Sequence, residues 1–173
     1  SNDPVLDAAI ADRKKSVARI NFVSGGGSFL CTGTLINSNS QQNFFLTANH
    51  CISNQAEASS IQTRWFYEAT TCGGGTLAAS PNAVTLGGGA SLTFTNQFVD
   101  QTLLTLTLAP PAGTIFAGWL ASPMVPGSSL VSISHPTGDV MKFALGANTA
   151  NGRSDGLTRL QGYEQEMYSA LFS

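Results

Sequence analysis

Charge is scarce in this chain: eight Lys and Arg and ten Asp and Glu among 173 residues make 10% of it charged, with a formal net charge of −2. No basic field results, and the short cluster Arg13-Lys14-Lys15 is too isolated for a nucleic-acid footprint, so polyanion partners are disfavoured. Long apolar runs are also missing. Nowhere do 18 apolar residues follow one another, and the N-terminus lacks the charged-then-apolar layout of a signal peptide, so the chain reads as soluble, mature and without a membrane partner. The three cysteines form no C-x-x-C pair, and the two histidines, His50 and His135, lie far apart, which argues against zinc or any other metal. Two cysteines can pair, and the third points to a partner on another chain or to a free thiol.

What is present is a 42% hydrophobic composition with 18 glycines, the mark of an ordered protein whose surface relies on Ser, Thr, Asn and Gln. Short runs of β-branched and aromatic residues alternate with turn signals, the pattern of an antiparallel β barrel or sandwich. Strands are expected at Val17–Val23, Ser28–Asn37, Asn43–Thr47, Ile61–Phe66, Ala83–Leu86, Ser91–Phe94, Thr102–Leu108, Thr114–Trp119, Leu130–Ser134 and Lys142–Ala147. Gly25-Gly26-Gly27, Gly73-Gly74-Gly75, Gly87-Gly88-Gly89 and Pro126-Gly127 carry the turn chemistry between them. Helix signals are few: Asp3 with Pro4 predicts a capped start within Asp3–Lys15, and one turn is expected over Cys51–Asn54. Ala109-Pro110-Pro111-Ala112-Gly113 reads as a linker, with too few strands after it to close a second barrel.

Two residues invite chemistry. His50 ends an apolar run, follows small Thr47 and Ala48 and precedes Cys51, a setting that holds an imidazole rigidly at a rim, as general-base work requires. Asp100 heads the apolar strand Thr102–Leu108, where a carboxylate is costly unless it has a task such as fixing an imidazole tautomer. The plain alternatives are a surface histidine beside a structural cysteine and an aspartate capping a strand.

The flanking residues favour the chemical assignment. Cys31-Thr32-Gly33-Thr34-Leu35-Ile36 and Thr47-Ala48-Asn49-His50-Cys51 resemble the C-[TS]-G-[TS]-L-[ILV] and T-A-x-H-C segments of trypsin-like serine proteases, and more narrowly those of the bacterial lysyl endopeptidase and protease IV group. Asp100-Gln101-Thr102-Leu103-Leu104-Thr105-Leu106 resembles the aspartate segment of that group. Arg64-Trp65-Phe66-Tyr67 through Cys72, Ser134-His135-Pro136 and Leu157-Thr158-Arg159-Leu160 resemble three further segments, with Ser134 where the group has histidine; His135 is read as a structural loop residue with any further role open.

The resemblance implies an all-β, chymotrypsin-like double β-barrel: residues 1–109 with a complete first barrel, a linker at 110–113, and a partial second barrel over 114–173. It implies that His50 is the general base, that Asp100 orients it, that Cys31 pairs with Cys51, and that the protein is a secreted serine endopeptidase of proteins or peptides without cofactor. The nucleophile is missing. No Gly-Asp-Ser-Gly or Gly-Gly-Ser-Ser-Gly-Ser loop occurs; Gly127-Ser128-Ser129 precedes the His-Pro segment, and Ser154-Asp155-Gly156 precedes the Leu-Thr-Arg-Leu strand. The expected arrangement is a second, C-terminal chain that carries the serine, with Cys72 a candidate for an interchain disulfide. A truncated chain, a non-catalytic pseudoprotease and a carbohydrate-binding sandwich are the alternatives. The group includes lysine-specific members, whose preference rests on an acidic pocket residue in the part absent here.

Overall fold

In the computed structural model, which describes residues 3–40, 42–71, 80–120, 122 and 124–148, the first hairpin sets the frame for everything after it. Strand β1 (Val17–Ser24) alternates buried and half-buried side chains, so Ala18, Ile20 and Phe22 share one face. Gly25 and Gly26 both take positive φ, as a two-residue turn matched to strand twist demands, and β2 (Gly27–Leu35) returns with Ser24 opposite Gly27. Before β1, helix α1 (Pro4–Arg13) starts where Asp3 Oδ1 accepts the amide protons of Val5 and Leu6, with Pro4 in the first turn.

The remaining strands extend this hairpin into a seven-stranded antiparallel sheet. With β3 (Phe44–Thr47), β4 (Gln62–Trp65), β5 (Val84–Leu86), β6 (Ala90–Asn96) and β7 (Gln101–Leu106), the order is β5-β4-β1-β2-β3-β7-β6. Ile20, Leu35, Phe45, Trp65 and Leu104 are fully buried between its faces, each contributing about 1.5–3 kcal/mol of transfer free energy. Phe45 fits only because residue 33 is glycine: a Cβ there would lie 2.1 Å from the Phe45 ring. A two-stranded antiparallel pair, β8 (Ser129–Ser134) and β9 (Lys142–Ala147), packs on β1 and β2 through the loop that joins them. The chain is thus mostly β with few helices.

Several expectations change in detail. Helix α2 (Gln55–Ser59) follows the expected turn at Cys51–Asn54 instead of occupying it, because Asn54 caps it by accepting the Glu57 amide proton. Thr114–Trp119 is not a strand; it makes one parallel bridge, with Ala117 N–H donating to Leu35 O and Asn37 N–H donating to Ala117 O. The ladder described here is not closed by pairing between β5 and β6. Gly89, at the corner between β5 and β6, donates to Ile61 O and accepts from Thr107 N–H, which ties that corner to the residues beside β4 and β7. Cys72, Gly73-Gly74-Gly75, Ser154-Asp155-Gly156 and Leu157–Leu160 lie outside the described residues.

Candidate active site

The register of one strand pair decides what meets at the rim. β3 and β7 run antiparallel with Thr47 opposite Thr102, so the residues just after β3 and just before β7 emerge at the same end of the sheet. His50 lies three residues beyond Thr47, and Asp100 lies two before Thr102. Their side chains therefore converge although 50 positions separate them.

The contact between them has two points. Asp100 Oδ1 accepts the backbone N–H of His50 at 2.8 Å, and Asp100 Oδ2 lies 2.6 Å from His50 Nδ1. A carboxylate only accepts, so Nδ1 carries the proton and Nε2 is the basic nitrogen of the ring. Asp100 reaches this position with φ +47°, a left-handed conformation that aspartate tolerates better than most residues but that still stores strain. Both side chains remain accessible, at 51% for His50 and 38% for Asp100.

Cys31 of β2 is bonded to Cys51, which follows His50 directly and is itself buried. The bond closes a segment separated by 20 positions, worth about 3 kcal/mol in loop entropy. It also consumes two of three metal-ligating groups that gather here, since Cys31 Sγ, Cys51 Sγ and a His50 ring nitrogen lie within 4.8 Å of one another. In the disulfide neither sulfur is a thiolate, so this trio is not a zinc donor set.

His50 and Asp100 border a cleft of about 780 Å³. Phe29, Leu30 and Leu46 contribute apolar lining, and Ile133, His135 and Thr137 from β8 and its loop also line it. That loop is fastened from several directions: His135 N–H donates to Thr32 Oγ1 at 2.9 Å, Arg19 Nη1 donates to Gly138 O at 2.7 Å, and Met141 N–H donates to Tyr67 O at 2.8 Å. Nothing in the sequence pattern marked Thr32 and Thr47 beyond their family letters. Yet Thr47 Oγ1 donates to Thr32 O, so Thr32 joins the histidine-bearing strand to the His135 loop.

His135 itself is 2% exposed. Its ring lies nearly parallel to Tyr67, at 5.9 Å and 19°, and Nδ1–H donates to Asp139 O at 3.0 Å. Nε2 has no hydrogen-bond partner among the described residues. Burial pushes the proton affinity of His135 from the usual 6.5 down to about 4, against the opposing pull of the Asp139 carbonyl and with further help from the Arg19 and Arg64 charges. Those two guanidinium groups stack on Tyr67, 4.7 and 4.0 Å from its ring centre. His135 is thus a buried residue of the cleft wall, stacked on Tyr67.

Comparison with known proteins places this geometry in context. The family described as lysyl endopeptidase, C-terminal domain, matches residues 4–169. A lysyl endopeptidase from Pseudomonas aeruginosa is 40% identical over 150 residues, covering 84% of this chain and 32% of its own length. This chain therefore spans about a third of that relative. Among solved structures, the HtrA-type protease AlgW with tripeptide superposes with a TM-score of 0.58 at 17% identity, over 91% of this chain and 44% of the other. An inactivated protease paralogue of the scabies mite gives 0.55 at 19% identity, over 80% and 63%. Likenesses at such identities establish the fold alone, the chymotrypsin-like protease fold.

Proposed function

From the premise that this chain belongs to the lysyl endopeptidase C-terminal domain family of trypsin-like serine proteases, we propose that it supplies the histidine and aspartate of a secreted serine endopeptidase. The observation that carries the proposal is the two-point grip of Asp100 on His50, through backbone N–H and Nδ1 together. In that role His50 Nε2 removes the proton of a serine hydroxyl as the oxygen attacks a peptide carbonyl. The imidazolium so formed is stabilised by Asp100, and it returns the proton to the leaving amine as the C–N bond breaks. The resulting acyl-enzyme is hydrolysed when His50 activates water in the same way.

The serine and its oxyanion hole belong, in this proposal, to polypeptide outside these 173 residues, on a C-terminal chain that stays associated. Cys72 is the candidate for a covalent tether. Residues 1–109 would carry both groups, 110–113 the connection, and 114–173 part of the second barrel. Proteins or peptides are the substrates, no cofactor takes part, and the Cys31–Cys51 disulfide suits an oxidising compartment outside the cytoplasm.

A serine-directed phosphonate probe, followed by intact and reduced mass measurement of the purified protein, tests this. The expected result is a label on a serine outside these residues, lost in His50→Ala together with roughly 10⁴-fold or more of the hydrolysis rate. Labelling and hydrolysis untouched by His50→Ala would overturn the assignment. A second reading, a non-catalytic binding protein on the same fold, is favoured only by the lack of a nucleophile loop among these 173 residues. It predicts no label on any chain.

A further inference from the structure

A chain of side-chain hydrogen bonds surrounds the His50 turn without touching the imidazole. Asn49 Nδ2 donates to Thr95 Oγ1 at 2.7 Å; Thr95 Oγ1 and Thr102 Oγ1 lie 2.6 Å apart; Thr102 Oγ1 donates to Ile52 O at 2.6 Å. Its direction is fixed by its ends. An amide nitrogen can only donate and a carbonyl oxygen can only accept, so Thr102 spends its one proton on Ile52, and Thr95 must donate to Thr102 while accepting from Asn49. Every hydroxyl gives one bond and receives one, the arrangement in which successive bonds polarise each other.

The placement of the ends gives this chain its meaning. Asn49 precedes His50, and Ile52 follows Cys51, so the chain grips the turn on both sides of His50. Its middle member, Thr102, is fully buried, stands two residues after Asp100 and is opposite Thr47 in the β3–β7 ladder. The partner on β6 is brought there by an irregularity. Leu92 faces Leu104, but after a bulge Phe94 faces Leu103, which shifts the register by one and sets Thr95 directly opposite Thr102. Without the bulge, Thr95 would oppose Gln101 and turn to the other face of the sheet.

We infer that Asn49, Thr95 and Thr102 are positioning residues for the His50–Asp100 pair. They lock the turn that carries the base to the strand that presents the carboxylate, and the β6 bulge exists in this fold to complete the lock. The inference rests on the proposed role of His50. Small displacements of a general base are costly, since a misplacement near 1 Å lowers rates by up to about 10²-fold.

The test compares Thr95→Val, Thr95→Ser, Asn49→Ala, Ser28→Ala and His50→Ala in the full-length active protein. Thr102 is wholly buried, so the weight falls on Thr95 and Asn49, which are half-buried. Ser28, whose hydroxyl donates to Asn21 Oδ1 at 2.7 Å across the exposed β1–β2 hairpin, is the control for losing a strand-to-strand hydroxyl bond in the same sheet. The expected result is a fall of about tenfold in kcat with KM unchanged for Thr95→Val and Asn49→Ala. The downfield NMR line of the His50 Nδ1 proton should move or broaden in the same two variants, with kcat and the line both restored in Thr95→Ser and both retained in Ser28→Ala. Unchanged kcat and an unchanged proton line in Thr95→Val and Asn49→Ala, with His50→Ala inactive, would overturn the positioning role alone. Activity in His50→Ala would overturn the functional reading, and the positioning role with it.

Discussion

His135 makes the stability of this protein sensitive to acid over a defined window. In the folded chain Nδ1–H is committed to the Asp139 carbonyl, so a second proton must enter at Nε2, which is buried. The groups facing the ring from other elements are Arg19 on β1, Arg64 on β4 and the Tyr67 ring between them, and the two cations oppose a third. The unfolded chain accepts that proton near pH 6.5, the folded one only near 4. Between these values the unfolded state binds more protons, so stability is complete above about pH 6.5, declines as pH falls through the window, and suffers no further loss from this group below about 4. The slope approaches 1.4 kcal/mol per pH unit, and the whole decline amounts to about 3 kcal/mol. Urea denaturation at pH 7, 6, 5 and 4 should show the parent losing about that much more than His135→Asn, which retains a donor for the Asp139 carbonyl but cannot titrate. Differencing the two curves removes the contribution of carboxylates common to both. Parallel curves for parent and variant, or an NMR titration of His135 centred near 6.5, would refute the reasoning.

Other perturbations follow from the same coordinates. Replacing Cys31 and Cys51 together by Ser should lower stability by about 3 kcal/mol and the melting temperature by about 10 °C, measured calorimetrically with and without reductant; reductant should then affect the parent but not the variant. Gly33→Ala places a Cβ 2.1 Å from Phe45 Cε1 in the fully buried core, so a loss of about 2–3 kcal/mol or more is expected in denaturant titration. Gly33→Ala combined with Phe45→Leu should recover part of it. Asp100→Asn should leave the fold intact by circular dichroism but lower kcat by about 10⁴-fold in the active protein; an effect confined to KM would deny Asp100 its orienting role.

How far the sequence reveals the molecule depends on whether a feature is local. β1, β7 and β8 were legible because each is a short run rich in β-branched and aliphatic residues set between turn signals, and α1 because Asp3-Pro4 is a capping signal. Helix α2 has five residues, too few for a periodic signal, and its cap at Asn54 falls inside what reads as a turn. Thr114–Trp119 carries strand-like residues but makes a single β-bridge, Ala117 with Ile36, among the described residues, since tertiary pairing outweighs propensity there. His50 and Asp100 were legible through the segments flanking them. Thr95 was not, because its relation to Thr102 depends on a bulge, and bulges leave no mark in a strand of Thr, Phe and Leu. The burial of His135 was equally hidden: His135 reads as a loop residue, and the packing of β8 and its loop against β1 and β2 covers it.

The way His50 and Asp100 are brought together separates two requirements of catalysis. Their meeting follows from the β3–β7 register, the Cys31–Cys51 bond and the bonds across Thr95 and Thr102, all within the seven-stranded sheet. None of these contacts involves β8 or β9. The cleft, by contrast, takes one wall from Ile133, His135 and Thr137, whose position depends on Thr32, Arg19 and Tyr67. On the proposed function, a base held by one sheet and a substrate wall held by another unit should respond to different mutations. Disturbing the Arg19 contact with Gly138 O is therefore expected to raise KM while sparing the His50 Nδ1 proton line, whereas Thr95→Val should do the reverse. Arg19→Met, which keeps an apolar stem but no donor, is the variant that decides it; a fall in kcat with unchanged KM would show that wall and base are not separable.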